Sequence, residues 1–208
     1  MKIGVLGGTF DPVHTGHIEL AEAVIHQLGL AYILFVPAGN PYFKTERNIS
    51  PAKERLEMVR LAIKGSPNLK VSTMEIERPG PSYTVDTIAE LKATLAPDDE
   101  IYFVLGWDIL PELPKWREPA RLIQLCRLVA IPRMNYRVPD LSPLEKDVPG
   151  ITERTVVLGA PTINISATII RERVAGGQSI KHMVPAAVER YIKESGLYKD
   201  VREAEGKR

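Results

Sequence analysis

The side chains most able to do chemistry stand together near the start of the chain, in the run GGTFDPVHTGH at residues 7–17. An apolar strand pattern precedes the run and a helical pattern follows it, so it lies where a strand turns into a helix. Backbone amides and the helix dipole favour an anion at such a turn. Gly7 and Gly8 lack side chains that would block a close approach of the backbone to a phosphate. The run therefore predicts a phosphate site.

Two histidines close this run. His14 and His17 are three residues apart, so their rings can project toward the same phosphate, to which imidazole N–H groups can donate hydrogen bonds. The alternative is that His14 caps a turn and His17 is an exposed helix residue; the pairing directly after a glycine turn favours phosphate binding. A zinc pair is disfavoured because no neighbouring side chain completes a ligand set. The run matches neither the Walker loop nor the GxGxxG pattern.

Further phosphate ligands are predicted in two other segments. Ser166 and Thr168 begin a helix, where hydroxyls and amides can meet phosphate, and Arg171 follows one turn later. The alternative here is an ordinary serine cap with a solvent-exposed arginine. Lys44 and Arg47 follow the second strand, in a loop of the kind that faces the ligand crevice of a parallel sheet. For them the alternative is a solvated basic loop.

A third group of residues is suited to a flat, acidic second substrate. Amides near Tyr83 and Thr84 would suit a carboxylate at a helix start, although plain capping explains this segment as well. Asp108 follows a glycine at a strand end and can bind ribose hydroxyls. Trp107 or Trp116 can stack on a pyridinium ring, with core packing as the alternative for each.

Together these motifs resemble the HxGH nucleotidyltransferase superfamily. GGTFDPVHTGH resembles its nucleotide-binding signature, and ISATIIR resembles its ISSTxIR motif with Ala167 in place of the second serine. SYTVDT and the run LPKW are similar to the nicotinate-nucleotide adenylyltransferase branch, and Lys44 follows a stretch similar to NxPxxK. The likeness spans about residues 3–171. Arg133 occupies the place of a family arginine, but Met134 and Asn135 follow it where the family often has Pro and Gly.

The resemblance implies adenylyl transfer from ATP to nicotinate mononucleotide, giving nicotinate adenine dinucleotide and pyrophosphate in NAD biosynthesis. It implies catalytic roles for His14, His17, Lys44 and Arg171. The implied ATP-binding residues are Gly7, Gly8, Thr9, Phe10, His14, His17, Gly106, Asp108, Ser166, Thr168 and Arg171. The implied residues for the second substrate are Lys44, Tyr83, Thr84, Asp108, Trp116 and Arg133. Mg²⁺ is implied as a cofactor held mainly by substrate phosphates and water, with no metal site built by the protein.

The elements that must position these groups alternate between short apolar strands and amphipathic helices. This pattern predicts an α/β fold with a Rossmann-like, doubly wound parallel sheet and helices on both faces. Predicted strands cover residues 3–6, 33–36, 69–75, 101–105, 128–131 and 155–158. Predicted helices cover residues 17–28, 84–95 and 185–194, with one more from Ser50 to Gly65 and another that starts at Ser166. We expect one domain over residues 1–200, a frayed tail at 201–208 and a surface loop at 135–150.

Composition narrows the functional class. The 208 residues carry a formal net charge of +1, so no global field favours nucleic acid or a membrane as partner. The single cysteine, Cys126, lies in an apolar stretch and suits a reducing compartment, and no signal or membrane-spanning pattern is found. These features predict a cytoplasmic enzyme that acts on small-molecule substrates. They are compatible with a homo-oligomer. The rival functions are a related transferase, such as one acting on phosphopantetheine, and a nucleotide sensor without turnover.

Overall fold

The computed structural model describes residues 1–40, 49–132, 140–159 and 165–199, and a six-stranded sheet forms its centre. Every strand pair is parallel. The strands are β1 (Lys2–Gly8), β2 (Tyr32–Pro37), β3 (Leu69–Val71), β4 (Glu100–Gly106), β5 (Arg127–Ile131) and β6 (Thr155–Val157). Their order in the sheet is β3-β2-β1-β4-β5-β6. This is the doubly wound order, in which strands are added outward from β1 on one side and from β4 on the other, and it confirms the predicted fold class.

Helices connect the strands and cover both faces of the sheet. They are α1 (Thr15–Leu28), α2 (Ala52–Ile63), α3 (Met74–Glu77), α4 (Thr84–Ala93), α5 (Pro119–Leu125), α6 (Ile151–Arg154), α7 (Ala167–Ala175) and α8 (Ala186–Glu194). Two 3₁₀ helices span Trp107–Lys115 and Ser142–Lys146. Among the described residues no helix is long and apolar enough to cross a bilayer.

Two separate apolar cores flank the sheet, because alternate strand residues point to opposite faces. Leu6 and Val104 contribute to the core under α1, α2, α7 and α8. Val5 and Leu105 contribute to the core under α4 and α5, which also contains Cys126. The thiol is almost fully buried, and burial raises its pKa to about 12, as expected of a cysteine that acts as a small apolar side chain.

The largest difference from the sequence prediction lies after β3. The strand ends at Val71 instead of Glu75, and the chain continues into α3. Just beyond the strand, the Ser72 hydroxyl accepts a hydrogen bond from the Met74 N–H at 3.3 Å, a local contact of the kind that competes with strand pairing. The new helix packs tightly on the end of β2: a Cβ atom on Gly39 would lie only 1.9 Å from the Glu75 carbonyl oxygen.

Helix boundaries and one loop also differ from the prediction. Helix α1 begins at Thr15, two residues before the predicted start, and ends before Gly29, which adopts a left-handed conformation with φ of 61°. The N-cap of α2 is Pro51 instead of Ser50. Residues 140–150 are not a simple surface loop, because Val148 is fully buried against the second core. The predicted tail at 201–208 lies outside the described residues.

Candidate active site

The predicted phosphate run lies where the strand order reverses, at the carboxyl ends of β1 and β4. Gly7 and Gly8 are the last residues of β1 and Gly106 is the last of β4, so all three lie at the end of the sheet where ligands bind in open α/β folds. Gly8 is closely packed, because a Cβ atom there would lie 3.1 Å from the Phe10 ring. Gly7 is exposed, and the nearest atom to its Cβ position is 3.5 Å away, in the Phe103 ring. The backbone at Gly7 is therefore open to a ligand.

The two histidines form one stacked unit. Their ring centroids are 3.6 Å apart with an interplanar angle of 25°. His14 is 6% exposed and is the N-cap of α1, and Phe10 packs edge-on against the His17 ring at 5.1 Å. His17 Nδ1 accepts a hydrogen bond from the His14 backbone N–H at 3.2 Å. A neutral His17 ring must then carry its proton on Nε2, which makes that atom a hydrogen-bond donor.

Several amides at this turn are already used within the protein. The Thr15 N–H donates to the Met183 carbonyl at 3.0 Å, and the Thr15 hydroxyl contacts the same carbonyl at 3.2 Å. The His17 N–H donates to the His14 carbonyl at 2.9 Å. Sequence reasoning expected the amides at this turn to face the ligand, whereas these bonds direct them to the protein. The histidine rings therefore remain the predicted donors at this turn, in place of the Thr15 and His17 amides.

The second predicted element does meet the first. Arg171 of α7 is half-buried and donates from Nη1 to the Asp11 backbone carbonyl at 2.7 Å, which ties α7 to the glycine turn. Its Nη2 donates to the Thr168 hydroxyl at 3.2 Å. Ser166 is the N-cap of α7, with its hydroxyl accepting from the Ile169 N–H at 3.5 Å. Ser166 therefore makes the helix-cap contact of the alternative reading, and its contact with phosphate stays a prediction. The Arg171 guanidinium is held at the glycine turn instead of pointing into solvent.

A buried polar network beneath the turn was missed by sequence reasoning. Arg55 is 1% exposed and donates to the backbone carbonyls of Thr9 and Ser50, each at 2.9 Å. Asp11 is also buried, and its carboxylate accepts from the Tyr198 hydroxyl at 2.7 Å and from the Ser50 N–H at 3.2 Å. Burial and the Asp11 charge raise the pKa of Tyr198 above its ordinary value. The sequence signal for Arg55 was its place four residues before the buried Val59, on the apolar stripe of α2.

The predicted carboxylate subsite lies at the start of α4. Tyr83 is the N-cap and Thr84 the first helical residue. The Arg117 guanidinium lies over the Tyr83 ring, with Cζ 4.8 Å from the ring centroid, and an Arg117 N–H lies 3.5 Å from the Asp86 carboxylate. These contacts join the helix start to the segment that follows Trp116.

Beneath the start of α4, the Thr87 side chain binds the carboxylate of Glu75. Its hydroxyl is 2.7 Å from Glu75 Oε1. Burial raises the pKa of Glu75, and the Thr87 hydrogen bond partly offsets that rise. Glu75 is thus a half-buried acid that packs the base of α4 against α3.

Trp116 lies at the same end of the sheet as the glycine turn. It is half-buried at the end of the first 3₁₀ helix and packs edge-on against Phe103, with ring centroids 6.2 Å apart. The same Phe103 ring lies beside Gly7, so one aromatic side chain separates the two predicted subsites. Trp107, the other candidate, is 8% exposed and belongs to the second core, which supports Trp116 as the stacking residue. Asp108 is half-buried one residue beyond Trp107.

Two predicted site residues, Lys44 and Arg133, lie outside the described residues, as does Arg47. Within the described ranges no group of three or more His, Cys, Asp or Glu side chains is arranged to hold a metal ion.

Comparisons with known proteins give one consistent assignment. A family model described as cytidylyltransferase-like matches residues 5–173. A probable nicotinate-nucleotide adenylyltransferase of Dehalococcoides mccartyi is 49% identical over 198 residues, covering 95% of this chain and 97% of that protein. One of the same name from Thermomicrobium roseum is 42% identical over 200 residues, covering 96% and 92%. The structure of Plasmodium falciparum nicotinic acid mononucleotide adenylyltransferase complexed with NaAD is 20% identical, with a TM-score of 0.76, covering 95% of this chain and 97% of that one. At that identity the structural likeness concerns the fold.

Proposed function

We propose that this chain, which belongs to the cytidylyltransferase-like family, transfers the adenylyl group of ATP to nicotinate mononucleotide, a step of NAD biosynthesis. The products are nicotinate adenine dinucleotide and pyrophosphate. Support comes from relatives of that name that align along nearly the whole chain. The structural observation that carries the proposal is the stacked His14–His17 pair at the strand-order reversal, with Arg171 bonded to the same turn.

The chemistry is an in-line displacement at phosphorus. A 5′-phosphate oxygen of the mononucleotide forms a bond to the α-phosphorus of ATP, and the bond from that phosphorus to the bridging oxygen breaks as pyrophosphate leaves with its electron pair. Such a step needs alignment of the two phosphates and neutralisation of charge more than a protein nucleophile. The described site matches this need, because it presents imidazole and guanidinium donors around an open glycine backbone.

We assign the triphosphate to the turn formed by Gly7 and Gly8. His17 would donate from Nε2, since its Nδ1 already accepts the His14 N–H. Arg171 keeps its position through the Asp11 carbonyl and adds positive charge beside the turn. Lys44 is predicted to bind phosphate as well.

The nicotinate ring is assigned to the side of Phe103 away from Gly7. There the half-buried Trp116 can stack on the pyridinium, and the amides at Tyr83 and Thr84 can bind the carboxylate that distinguishes nicotinate from nicotinamide. Asp108 is predicted to bind ribose hydroxyls and Arg133 the mononucleotide phosphate.

Mg²⁺ is part of the proposal as an ion bound by the phosphates of ATP and by water, where it would offset their charge. A cytoplasmic location is also proposed, because a single buried thiol suits a reducing compartment.

Pyrophosphate release tests the function directly. ATP is mixed with the wild-type protein and either nicotinate or nicotinamide mononucleotide, and we expect release with nicotinate mononucleotide to be faster. A phosphopantetheine substrate in a third reaction tests the related transferase, and ATP binding without release would identify a sensor. Replacement of both His14 and His17 by alanine should abolish release in a folded protein; an unchanged rate would contradict the proposed site.

A further inference from the structure

Arg55 is a charged residue on the buried face of α2, where apolar side chains are usual. It is 1% exposed and lies on the face of the helix that carries Met58 and Val59, both fully buried. Burial lowers the pKa of its guanidinium, and the nearby Asp11 charge acts in the opposite direction. An arginine is rarely buried unless its charge and donors are satisfied, because its desolvation costs free energy.

The guanidinium binds three loop segments at once. Its Nη1 donates to the Thr9 carbonyl at 2.9 Å, its Nη2 to the Gly39 carbonyl at 3.2 Å and its Nε to the Ser50 carbonyl at 2.9 Å. Thr9 follows β1, Gly39 follows β2 and Ser50 precedes α2. None of these carbonyls belongs to a strand or a helix, so Arg55 donates to backbone that lies outside regular secondary structure.

One of these bonds acts on the phosphate turn itself. Because a peptide group is planar and trans, a Thr9 carbonyl held toward Arg55 directs the Phe10 N–H the opposite way. Phe10 adopts a left-handed backbone conformation with φ of 50°, which a bulky residue rarely adopts without support from its surroundings. The Phe10 ring in turn packs on His17, so the orientation of this peptide reaches the imidazole.

We propose that Arg55 is a positioning residue for adenylyl transfer, acting through the Thr9 peptide and Phe10 on His17. The inference rests on the proposed function, because it needs the phosphate site at this turn. A methionine at position 55 would fill similar space with apolar atoms and leave three carbonyls without their donor. The Thr9–Phe10 peptide would then no longer be held in one orientation. The reacting phosphates would consequently lose their alignment.

The test compares Arg55→Met and Arg55→Lys with Arg60→Met. Arg60 is an exposed arginine on the same helix and makes no described contact with the turn, so it is a matched control. Pyrophosphate release is measured at saturating substrates and corrected for the folded fraction, with and without trimethylamine N-oxide, which favours the folded state. We expect kcat of Arg55→Met to fall about 10- to 100-fold, since small misplacements of reacting groups have effects of this size. Arg55→Lys should recover part of the loss.

The readouts separate positioning from folding. If kcat per folded molecule of both variants stays within about twofold of that of Arg60→Met, with or without the osmolyte, Arg55 serves only stability and the proposal is overturned. A lysine variant that fails to fold even in the osmolyte overturns it as well. ATP binding to the wild-type and variant proteins without a second substrate is measured in parallel. A wild-type protein that binds ATP but releases no pyrophosphate with nicotinate mononucleotide would contradict the proposed function instead.

Discussion

His17 offers a sharp test of the site, because its two ring nitrogens have separate tasks. Nδ1 accepts the His14 backbone N–H at 3.2 Å, and Nε2 is the predicted phosphate donor. His17→Asn places an acceptor near the Nδ1 position without a donor at the Nε2 position. His17→Gln is the matched control, because its longer amide reaches toward the Nε2 position and gives up the Nδ1 contact.

The two losses differ in size and in the property they change. Loss of a cap at a helix start costs about 1 kcal/mol of stability. In a protein of this size that lowers Tm by about 2–4 °C. Loss of one donor to charge that develops in a transition state lowers kcat about 10²- to 10³-fold. Loss of the Nδ1 contact should therefore lower stability, and loss of the Nε2 donor should lower kcat.

Calorimetry and steady-state pyrophosphate release measure the two effects independently. We expect His17→Asn to keep a Tm close to the wild-type value and lose about 100-fold in kcat. His17→Gln should melt earlier and turn over faster than the asparagine variant. The reasoning is wrong if His17→Asn retains nearly full activity, or if the glutamine variant is the slower of the two in a folded state.

Three further predictions concern the pyridine side and the network beneath the turn. Trp116→Ala should raise the KM for nicotinate mononucleotide about tenfold in steady-state kinetics and leave the KM for ATP unchanged, because ring stacking contributes about 1–3 kcal/mol; equal changes in both would refute stacking. Tyr198→Phe should lower the free energy of unfolding in urea by about 1–3 kcal/mol, because the buried Asp11 loses a donor; an unchanged midpoint would contradict this. Burial raises the pKa of Glu75, so wild-type stability should fall, relative to Glu75→Gln, as pH rises from its unfolded pKa through the folded one. Urea unfolding at pH 4 and pH 7 checks that sign, and a wild-type advantage that grows with pH would reverse it.

Most of the fold follows from local patterns that the sequence displays. Each of the six strands is a short apolar run, and apolar runs between amphipathic helices predict a parallel sheet covered on both faces. The end of β3 was mispredicted because the apolar residue Met74 follows soon after Val71, beyond the polar pair Ser72 and Thr73. Beyond Val71 the chain instead makes the Ser72 hydroxyl contact and packs closely against Gly39, and neither feature has a sequence pattern of its own.

The site is predictable where a residue acts through its own type and spacing. His14, His17 and Arg171 stand in short motifs, and the structure brings them to one turn. Arg55 was missed because apolar periodicity predicts only apolar residues on the inward face of a helix. In this structure the charged Arg55 occupies that face and donates hydrogen bonds to loop carbonyls. Tyr198 was missed because its partner is 187 residues away and only the tertiary fold brings them together.

Asp11 shows why membership of a motif does not establish contact with a ligand. It stands in the middle of the nucleotide-binding run, yet its oxygens are engaged within the protein: the carbonyl by Arg171, and the carboxylate by Tyr198 and Ser50. A buried carboxylate with these donors holds the end of β1, the start of α2, α7 and the C-terminal segment together. An aspartate at this position is therefore explained by the need to fix the turn that carries the histidines, and no contact with the nucleotide is required.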